Sequence, residues 1–189
     1  MRPLIILALA VLAIACSSSP AQPELDPVFV LMCDDIDPEE PPHPCCTGFA
    51  HGGQVVTANH CVPGDEIRIV SREQWVNTAS DSSIGHVVAR DEGRDIAWLS
   101  APVDAQLDRG GPIVAGAAIS ALTMSVVVPG KATQQGGYFW ITDLDVIHSD
   151  SGSAIVDAHG DAIGVLTNCR MLDGDKQCKM STGIFAELP

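Results

Sequence analysis

The stretch SDSGSAIV, residues 149–156, leads from a turn of small polar residues into an apolar run. The residues that follow, IVDAHGDAIGV at 155–165, place short apolar runs on both sides of His-Gly-Asp, which is typical of a β-hairpin. A glycine directly after Ser151 would let another group approach the backbone closely. By itself Asp-Ser-Gly predicts only a turn, so its meaning depends on the rest of the chain.

Two earlier segments supply the partners that a reactive serine needs. VVTANHC at 55–61 is a strand running into His60, and RDIAWL at 94–99 places Asp95 at the start of an apolar strand. A serine hydroxyl is a weak nucleophile unless an imidazole takes its proton, and a carboxylate must then orient and stabilise that imidazole. We therefore predict Ser151 as nucleophile, His60 as general base and Asp95 as its partner. Asp91 and Glu92 compete with Asp95 but lack the apolar strand directly after them.

Short β-type runs recur from residue 54 onward, and Gly, Pro, Asn and Asp separate them. No run shows sustained helical periodicity, so the pattern predicts an all-β sandwich or barrel. Residues 101–111 break the pattern and are expected to link two halves. The predicted strands are Gln54–Thr57, Glu66–Val70, Ile84–Ala89, Ile96–Ser100, Leu122–Val128, Tyr138–Thr142, Ala154–Val156, Ala162–Thr167 and Gly183–Ala186.

Composition narrows the class of protein. The 189 residues suffice for one domain or two small lobes, and a hydrophobic fraction of 46% supports a core. A net charge of -14 argues against a nucleic-acid partner, because a polyanion would be repelled. The acidity is typical of a soluble exported protein, although a preference for cationic partners stays open. A polar stretch, Asp34–Pro44, is predicted as a solvated loop rather than a calcium site, because it lacks ligand spacing.

The N-terminus predicts export. Residues 1–15 combine a positive start with an apolar run too short to span a bilayer, which is typical of a signal peptide. Cys16 follows small residues, as in a bacterial lipobox, so a lipid anchor on Cys16 is one expectation and secretion the other. Residues 16–27 are predicted as a flexible tether. The other six cysteines, an even number in an exported chain, predict three disulfides. Their number alone does not determine which cysteines pair.

Together and in this order, the three segments resemble those of the chymotrypsin-like (trypsin-fold) serine proteases. Family members carry Thr-Ala-Ala-His-Cys, Asp-Ile-Ala-Leu-Leu and Gly-Asp-Ser-Gly-Gly/Ser-Pro, where this chain has TANHC (57–61), DIAWL (95–99) and SDSGSA (149–154). The likeness runs from about Cys46 to Ala186, and the compact size resembles small bacterial members. It implies two six-stranded antiparallel β-barrels within 28–189, the first about 28–105 and the second about 106–189. The triad would lie in the cleft between them.

The resemblance also implies roles for other residues. Backbone N–H groups of Ser149 and Ser151 would form the oxyanion hole, and Thr167 would hydrogen-bond Asp95 beside the substrate pocket. Asp145, six residues before the nucleophile, would favour basic side chains if it lies on the pocket floor, and otherwise faces solvent. His148 is expected in an exposed loop, with a place in the same pocket as the alternative. The implied disulfides are Cys46–Cys61, Cys169–Cys178 and Cys33–Cys45. A Cys45–Cys46 bond and zinc binding by His43, Cys45 or Cys46 remain rivals, the latter without tetrahedral ligand spacing.

Two departures from the family pattern bear on activity. Ser149 replaces a glycine of the oxyanion hole, and Asn59 replaces an alanine beside His60. Asp150 also needs a cationic or amide partner, since no freed amino terminus is evident. We expect a monomeric serine endopeptidase acting on proteins or peptides, without metal or organic cofactor, exported to a bacterial cell envelope or secreted. The alternatives are a catalytically weak or inactive homologue serving as a binding module, and a structural lipoprotein whose motifs lie far apart.

Overall fold

The computed structural model describes residues 27–33, 42–77, 82–135, 138–142, 144–172 and 175–181. These residues form two closed barrels of six antiparallel strands each, which confirms the expected fold class. The first barrel contains β1 Val28–Cys33, β2 His43–His51, β3 Gln54–Ala58, β4 Glu66–Ser71, β5 Ser83–Asp91 and β6 Ile96–Ser100. The second contains β7 Ala118–Leu122, β8 Val127–Gln135, β9 Tyr138–Thr142, β10 Ala154–Val156, β11 Ala162–Leu172 and β12 Asp175–Ser181.

Both barrels have the same strand order. In the first it is β1-β2-β3-β6-β5-β4, and in the second β7-β8-β9-β12-β11-β10. Among the described residues, helical structure is limited to one five-residue helix, α1 (Arg72–Val76), and to 3-10 turns over Asn59–Cys61 and His148–Asp150. The helix begins at a capping box, in which the Ser71 hydroxyl accepts the Gln74 N–H at 3.2 Å. The turn Asn59–Cys61 directly follows β3, and the turn His148–Asp150 lies shortly before β10. Both strands border the interface between the barrels.

Apolar side chains along the described strands build three large cores, beside a small cluster of Val30, Met32, Val70 and Met124. One lies within the first barrel, one within the second, and a third lies between the two. The third core consists of Val28, Phe49, Val56, Ile96, Trp98, Leu107, Leu122, Ala154, Val156, Ala162 and Val165. Because β3, β6 and β10 all contribute to it, the residues at the ends of these strands converge at the rim of the barrel interface.

The link between the barrels spans residues 101–117, where no strand is formed. The Leu107 N–H donates to the Ala50 carbonyl of the first barrel at 2.9 Å, and the Gly110 N–H donates to the Ala162 carbonyl of the second at 2.8 Å. The chain therefore passes from one barrel to the other between Leu107 and Gly110.

One predicted strand is wrong, and several elements were not predicted. Leu122–Val128 is interrupted by a turn, in which the Thr123 N–H donates to the Val126 carbonyl at 3.1 Å while the Thr123 hydroxyl accepts the Val126 N–H at 3.1 Å. A local side-chain bond of this kind competes with strand pairing. Strands β1, β2 and β12, most of β7, and helix α1 were missed. β1 is an unbroken apolar run without alternation, and cysteines, prolines or charges obscure the alternation in β2 and β12.

Some expectations lie outside the described residues. They concern the signal segment 1–15, Cys16, nearly all of the tether, most of the polar loop and the strand Gly183–Ala186. Within the part of the chain that the structure describes, no helix is long and apolar enough to cross a membrane.

Candidate active site

A cleft of about 820 Å³ opens between the two barrels. It collects residues from all three sequence segments, although they are separated by up to 91 positions in the chain (151 − 60). The lining consists of His60, Asp95, Val146, Ile147, His148, Ser151, Leu166, Thr167, Asn168 and Cys169. The structure therefore brings the three predicted catalytic residues to one site. This placement disagrees with the alternative in which the motifs are accidental and lie far apart.

Asp95 binds the histidine segment through both its side chain and its backbone. Its carboxylate accepts the His60 backbone N–H at 2.9 Å and the His60 Nδ1–H at 2.8 Å. Its carbonyl accepts the Asn59 N–H at 3.0 Å. Asp95 also has a φ of 59°, the one positive value among the described non-glycine residues, and aspartate tolerates this left-handed region better than most residues do. The turn before β6 is thus shaped to aim this carboxylate at His60.

The bond to Asp95 determines the protonation behaviour of His60. Donation from Nδ1 leaves Nε2 as the free acceptor of the neutral ring, the tautomer that a general base requires. The hydrogen bond to Asp95 raises the pKa of His60 above its ordinary value of 6.5; partial burial opposes this shift and the charge of Asp95 adds to it. With 48% of its side chain exposed, the imidazole remains accessible from the cleft.

Ser151 follows the 3-10 turn His148–Asp150, and its backbone is held on both sides. The Ser151 carbonyl accepts the Thr47 N–H at 2.8 Å, and the Gly152 N–H donates to the Leu166 carbonyl at 2.7 Å. Gly152 has a φ of 88°, and a Cβ there would lie 1.9 Å from the Thr47 carbonyl oxygen. Only glycine fits at this position, which explains the glycine after the nucleophile.

The described residues show no hydrogen bond between the Ser151 hydroxyl and the His60 ring. Both groups face the same cleft. In proteases without bound substrate this contact is often long and tightens only in the complex. The lack of a direct hydrogen bond between the nucleophile Ser151 and the base His60 is therefore compatible with catalysis.

The turn before Ser151 includes Ser149, which stands where the family has glycine. Asp150 is buried, and its carboxylate accepts the Ile147 N–H at 2.8 Å, so it has the amide partner that the sequence required. In the 3-10 turn the Asp150 N–H donates to the Ile147 carbonyl at 3.1 Å. Ser149 has a negative φ and is unstrained in this turn. The residues whose N–H groups are expected to bind an oxyanion thus lie in this turn and directly after it, next to the cleft.

Asn59, the second departure from the family pattern, is part of an anchor for the histidine turn. Its side-chain carbonyl accepts a hydrogen bond from Arg90 on β5 at 2.7 Å. The same guanidinium donates to the carbonyls of Val62, at 2.8 Å, and Gly64. In addition to Asp95, Arg90 therefore anchors the turn that carries His60. The sequence offered one hint, an amide side chain that needs a partner, but nothing that identified Arg90.

Thr167 is one of the two pocket residues that the resemblance implies. Thr167 lines the cleft, but its hydroxyl donates to the Lys179 carbonyl at 3.4 Å and lies 3.5 Å from the Ser181 hydroxyl, not against Asp95. The Ser181 hydroxyl in turn donates to the carbonyl of Arg94. Thr167 is therefore connected through Ser181 to Arg94, the residue before Asp95, and not to Asp95 itself. The bulge in β11 between Leu166 and Asn168 turns Thr167 toward β12.

Asp145 does not line the cleft. Its side chain is exposed, whereas the three residues after it, Val146, Ile147 and His148, form the wall. His148 is exposed as expected and also belongs to the cleft. The described lining near Ser151 therefore contains no acid that would favour a basic substrate side chain, apart from Asp95, which is engaged by His60.

The six described cysteines form three disulfides, Cys33–Cys45, Cys46–Cys61 and Cys169–Cys178. These are the pairs that the resemblance implies, so the rival Cys45–Cys46 bond is not formed. Cys46–Cys61 fastens the His60 turn to β2, and Cys169–Cys178 joins β11 to β12 at the cleft wall. Cys46, His60 and Cys61 place their donor atoms within 4.8 Å of one another, but sulfurs joined in a disulfide are not thiolate ligands.

Comparison with solved structures gives the same fold. A serine protease of a human pathogenic astrovirus superposes with a TM-score of 0.63 at 17% identity, covering 89% of this chain and 96% of that one. A protease of M. tuberculosis in its active form gives 0.65 at 19%, covering 87% and 80%. An HtrA-type protease solved with a tripeptide gives 0.66 at 20%, covering 87% of this chain.

This chain spans only 58% of that HtrA-type protease and 59% of a serine endoprotease from Yersinia pestis. No protein-family model and no curated protein matches the chain. At these identities the comparisons show the fold alone: the chain has the double-barrel fold of the chymotrypsin-like serine proteases.

Proposed function

From this fold and cleft we propose that the chain is a serine endopeptidase that cleaves peptide bonds through an acyl-enzyme. The observation that carries the proposal is the His60–Asp95 pair, joined at 2.8 Å, in the same cleft as Ser151. So much matched geometry in one cleft is characteristic of function, because each group has the tautomer, the partner or the backbone support that acyl transfer requires.

The reaction follows from these groups. Ser151 Oγ attacks the scissile carbonyl as His60 Nε2 takes its proton, and Asp95 stabilises the imidazolium. The tetrahedral oxyanion is held by the N–H groups of Ser149 and Ser151. His60 then gives its proton to the leaving amine, the C–N bond breaks and an ester to Ser151 forms. Water, deprotonated by His60, hydrolyses this ester and restores the hydroxyl.

Strand β11 offers a backbone edge for a peptide beside Ser151. Its pairing with β10 ends at Val165, and beyond Leu166 the described pairing is with β12 alone. Thr167, Asn168 and Cys169 therefore present one unpaired edge along the cleft, and a free strand edge binds an extended peptide by main-chain hydrogen bonds. HtrA-type proteases with this fold have been solved with a tripeptide and with a decapeptide. A peptide substrate in this groove fits the proposal.

Three disulfides are typical of an oxidising, exported environment. We place the enzyme in a bacterial cell envelope, anchored through lipid on Cys16, or in the medium after secretion. Metabolic labelling with a palmitate analogue, compared between wild type and Cys16→Ser, separates the two locations. Label on the wild type alone supports the anchor, and its absence supports secretion.

The proposal is tested by hydrolysis of a diverse peptide library with mass-spectrometric identification of the products. We expect internal cuts that a fluorophosphonate pre-treatment abolishes, with apolar rather than basic residues before the cut, because Val146, Ile147 and Leu166 line the cleft and Asp145 does not. Folded protein that cuts no peptide, under conditions where a control protease does, would favour the binding-module alternative. A preference for Arg or Lys would show that Asp145 does reach the substrate.

The pH dependence of hydrolysis should reflect His60. We expect kcat/KM to rise with pH through an inflection above 6.5, because the base must be neutral and the Asp95 hydrogen bond raises its pKa. By linkage, the same contact contributes stability that is full below 6.5 and is lost as the pH rises through the folded-state pKa. A kcat/KM profile from about pH 5 to 9 measures the inflection. An inflection below 6.5 would mean that burial outweighs the hydrogen bond.

A further inference from the structure

Thr47 on β2 of the first barrel makes hydrogen bonds on both sides of the proposed nucleophile. Its side-chain hydroxyl donates to the Ser149 carbonyl at 3.1 Å, and its backbone N–H donates to the Ser151 carbonyl at 2.8 Å. Thr47 is itself wholly buried, and its carbonyl accepts the Thr57 hydroxyl at 2.7 Å. A rigid residue of one barrel thus holds the loop of the other, 102 positions away in the sequence.

These bonds determine how the peptide groups around Ser151 are oriented. In a trans peptide the C=O and the next N–H point in opposite directions. The Ser149–Asp150 peptide is held at both ends, since its carbonyl binds the Thr47 hydroxyl and its N–H donates to the Ile147 carbonyl at 3.1 Å. The Ser151–Gly152 peptide is likewise held between the Thr47 N–H and the Leu166 carbonyl.

The peptide between them, Asp150–Ser151, has its carbonyl bound by the Ser153 N–H at 3.1 Å, so the Ser151 N–H lies on its other side. Thr47 therefore binds the peptide groups before and after this one, through the Ser149 and Ser151 carbonyls, and so limits how far the peptide between them can turn.

We propose that the Thr47 hydroxyl is a positioning residue for the oxyanion hole: it fixes the Ser149–Asp150 peptide so that the Ser149 and Ser151 N–H groups can converge on the oxyanion. The inference rests on the proposed function. The hydroxyl belongs to the Thr47 side chain, so it can be removed while the backbone bonds of Thr47 stay. From the other barrel, it also orders a loop in which Ser149 stands where family members have glycine.

The test compares Thr47→Val, which keeps the shape but removes the hydroxyl, with Thr47→Ser, which keeps the hydroxyl. Steady-state kinetics use the best peptide amide from the library described above. We expect Thr47→Val to lower kcat by about 10- to 100-fold with KM little changed, because misplacement of a catalytic group by about 1 Å has this effect. Thr47→Ser should recover most of the loss. Thr133→Val is the matched control, since it removes a hydroxyl bound to a strand carbonyl, that of Trp140 at 3.2 Å, outside the cleft.

A folded Thr47→Val with wild-type kcat would overturn the inference, as would an equal loss in Thr133→Val. A loss of fold in both Thr47→Val and the smaller Thr47→Ala, with Thr47→Ser folded, would also overturn it, because the hydroxyl would then act in stability rather than positioning. A wild type without peptidase activity would instead reject the proposed function and this inference with it. Thermal unfolding of every variant distinguishes these outcomes.

Discussion

Replacement of Ser151 with alanine should lower kcat for peptide hydrolysis by about 10⁶-fold, the scale of loss when the nucleophile of a serine hydrolase is removed. Without Oγ no ester intermediate can form, and only binding and oxyanion stabilisation remain to accelerate direct attack by water. The fold should persist, because Ser151 supports the structure through its carbonyl, which the substitution leaves in place. Steady-state kinetics and a thermal melt on the same preparation measure both effects.

Ser153→Ala is the matched control for this experiment. Ser153 lies in the same turn and is wholly buried, and its hydroxyl has no hydrogen-bond partner among the described residues. Its removal should leave kcat near that of the wild type. If Ser153→Ala were the inactive variant, or if Ser151→Ala kept more than about a thousandth of the activity, another group would have to be the nucleophile.

Replacement of Asp95 with asparagine is expected to lower kcat by about 10⁴-fold. Asparagine tolerates the left-handed φ of 59° and can still accept the His60 backbone N–H, so the turn should survive. Its amide NH₂ would face Nδ1, however, and hold the ring in the tautomer whose Nε2 carries the proton. The ring could then no longer take the proton of Ser151. Kinetics at several pH values should show both the loss of kcat and a lowered His60 pKa.

Asp91→Asn provides the control, because Asp91 is the nearby acid that the sequence left as a rival. Its carboxylate accepts from Arg94 Nε at 2.6 Å and from the Arg94 N–H at 2.9 Å, and it stabilises the turn before β6 rather than the imidazole. This exposed ion pair is worth at most about 1 kcal/mol. We expect a small effect on kcat. A loss in Asp91→Asn equal to that in Asp95→Asn would mean that the turn, and not the Asp95 carboxylate, is what catalysis needs.

The all-β class and the three converging residues could be predicted from local patterns, whereas the double barrel was implied by the resemblance to a known family. His60, Asp95 and Ser151 each lie at the end of an apolar run, and strand ends meet at the interface once the two barrels pack. The turn at Thr123 could not be predicted from alternation, because one hydroxyl bound to the backbone of Val126 outweighs the strand pattern of its neighbours.

Contacts that are distant in sequence were the main omission. Asn59 and Ser149 were both recognised as unusual, but their partners, Arg90 and Thr47, lie 31 and 102 positions away. No local pattern identifies such partners, since they depend on strand register and on how the barrels pack. Thr167 shows the same limit. Its neighbours follow the family pattern, but a single bulge in β11 places its hydroxyl beside Ser181 rather than Asp95.

The most direct test of the central claim is reaction of the folded protein with a fluorophosphonate, followed by intact-mass analysis and peptide mapping. Such probes phosphonylate an activated serine, whose oxygen displaces fluoride from phosphorus, and leave ordinary hydroxyls unmodified, because reaction needs the base and the oxyanion hole together. We predict one adduct per chain on Ser151, formed more slowly in Asp95→Asn and absent in Ser151→Ala. Folded wild-type protein that stays unlabelled while a control protease reacts, or that carries the label on another residue, would contradict the account.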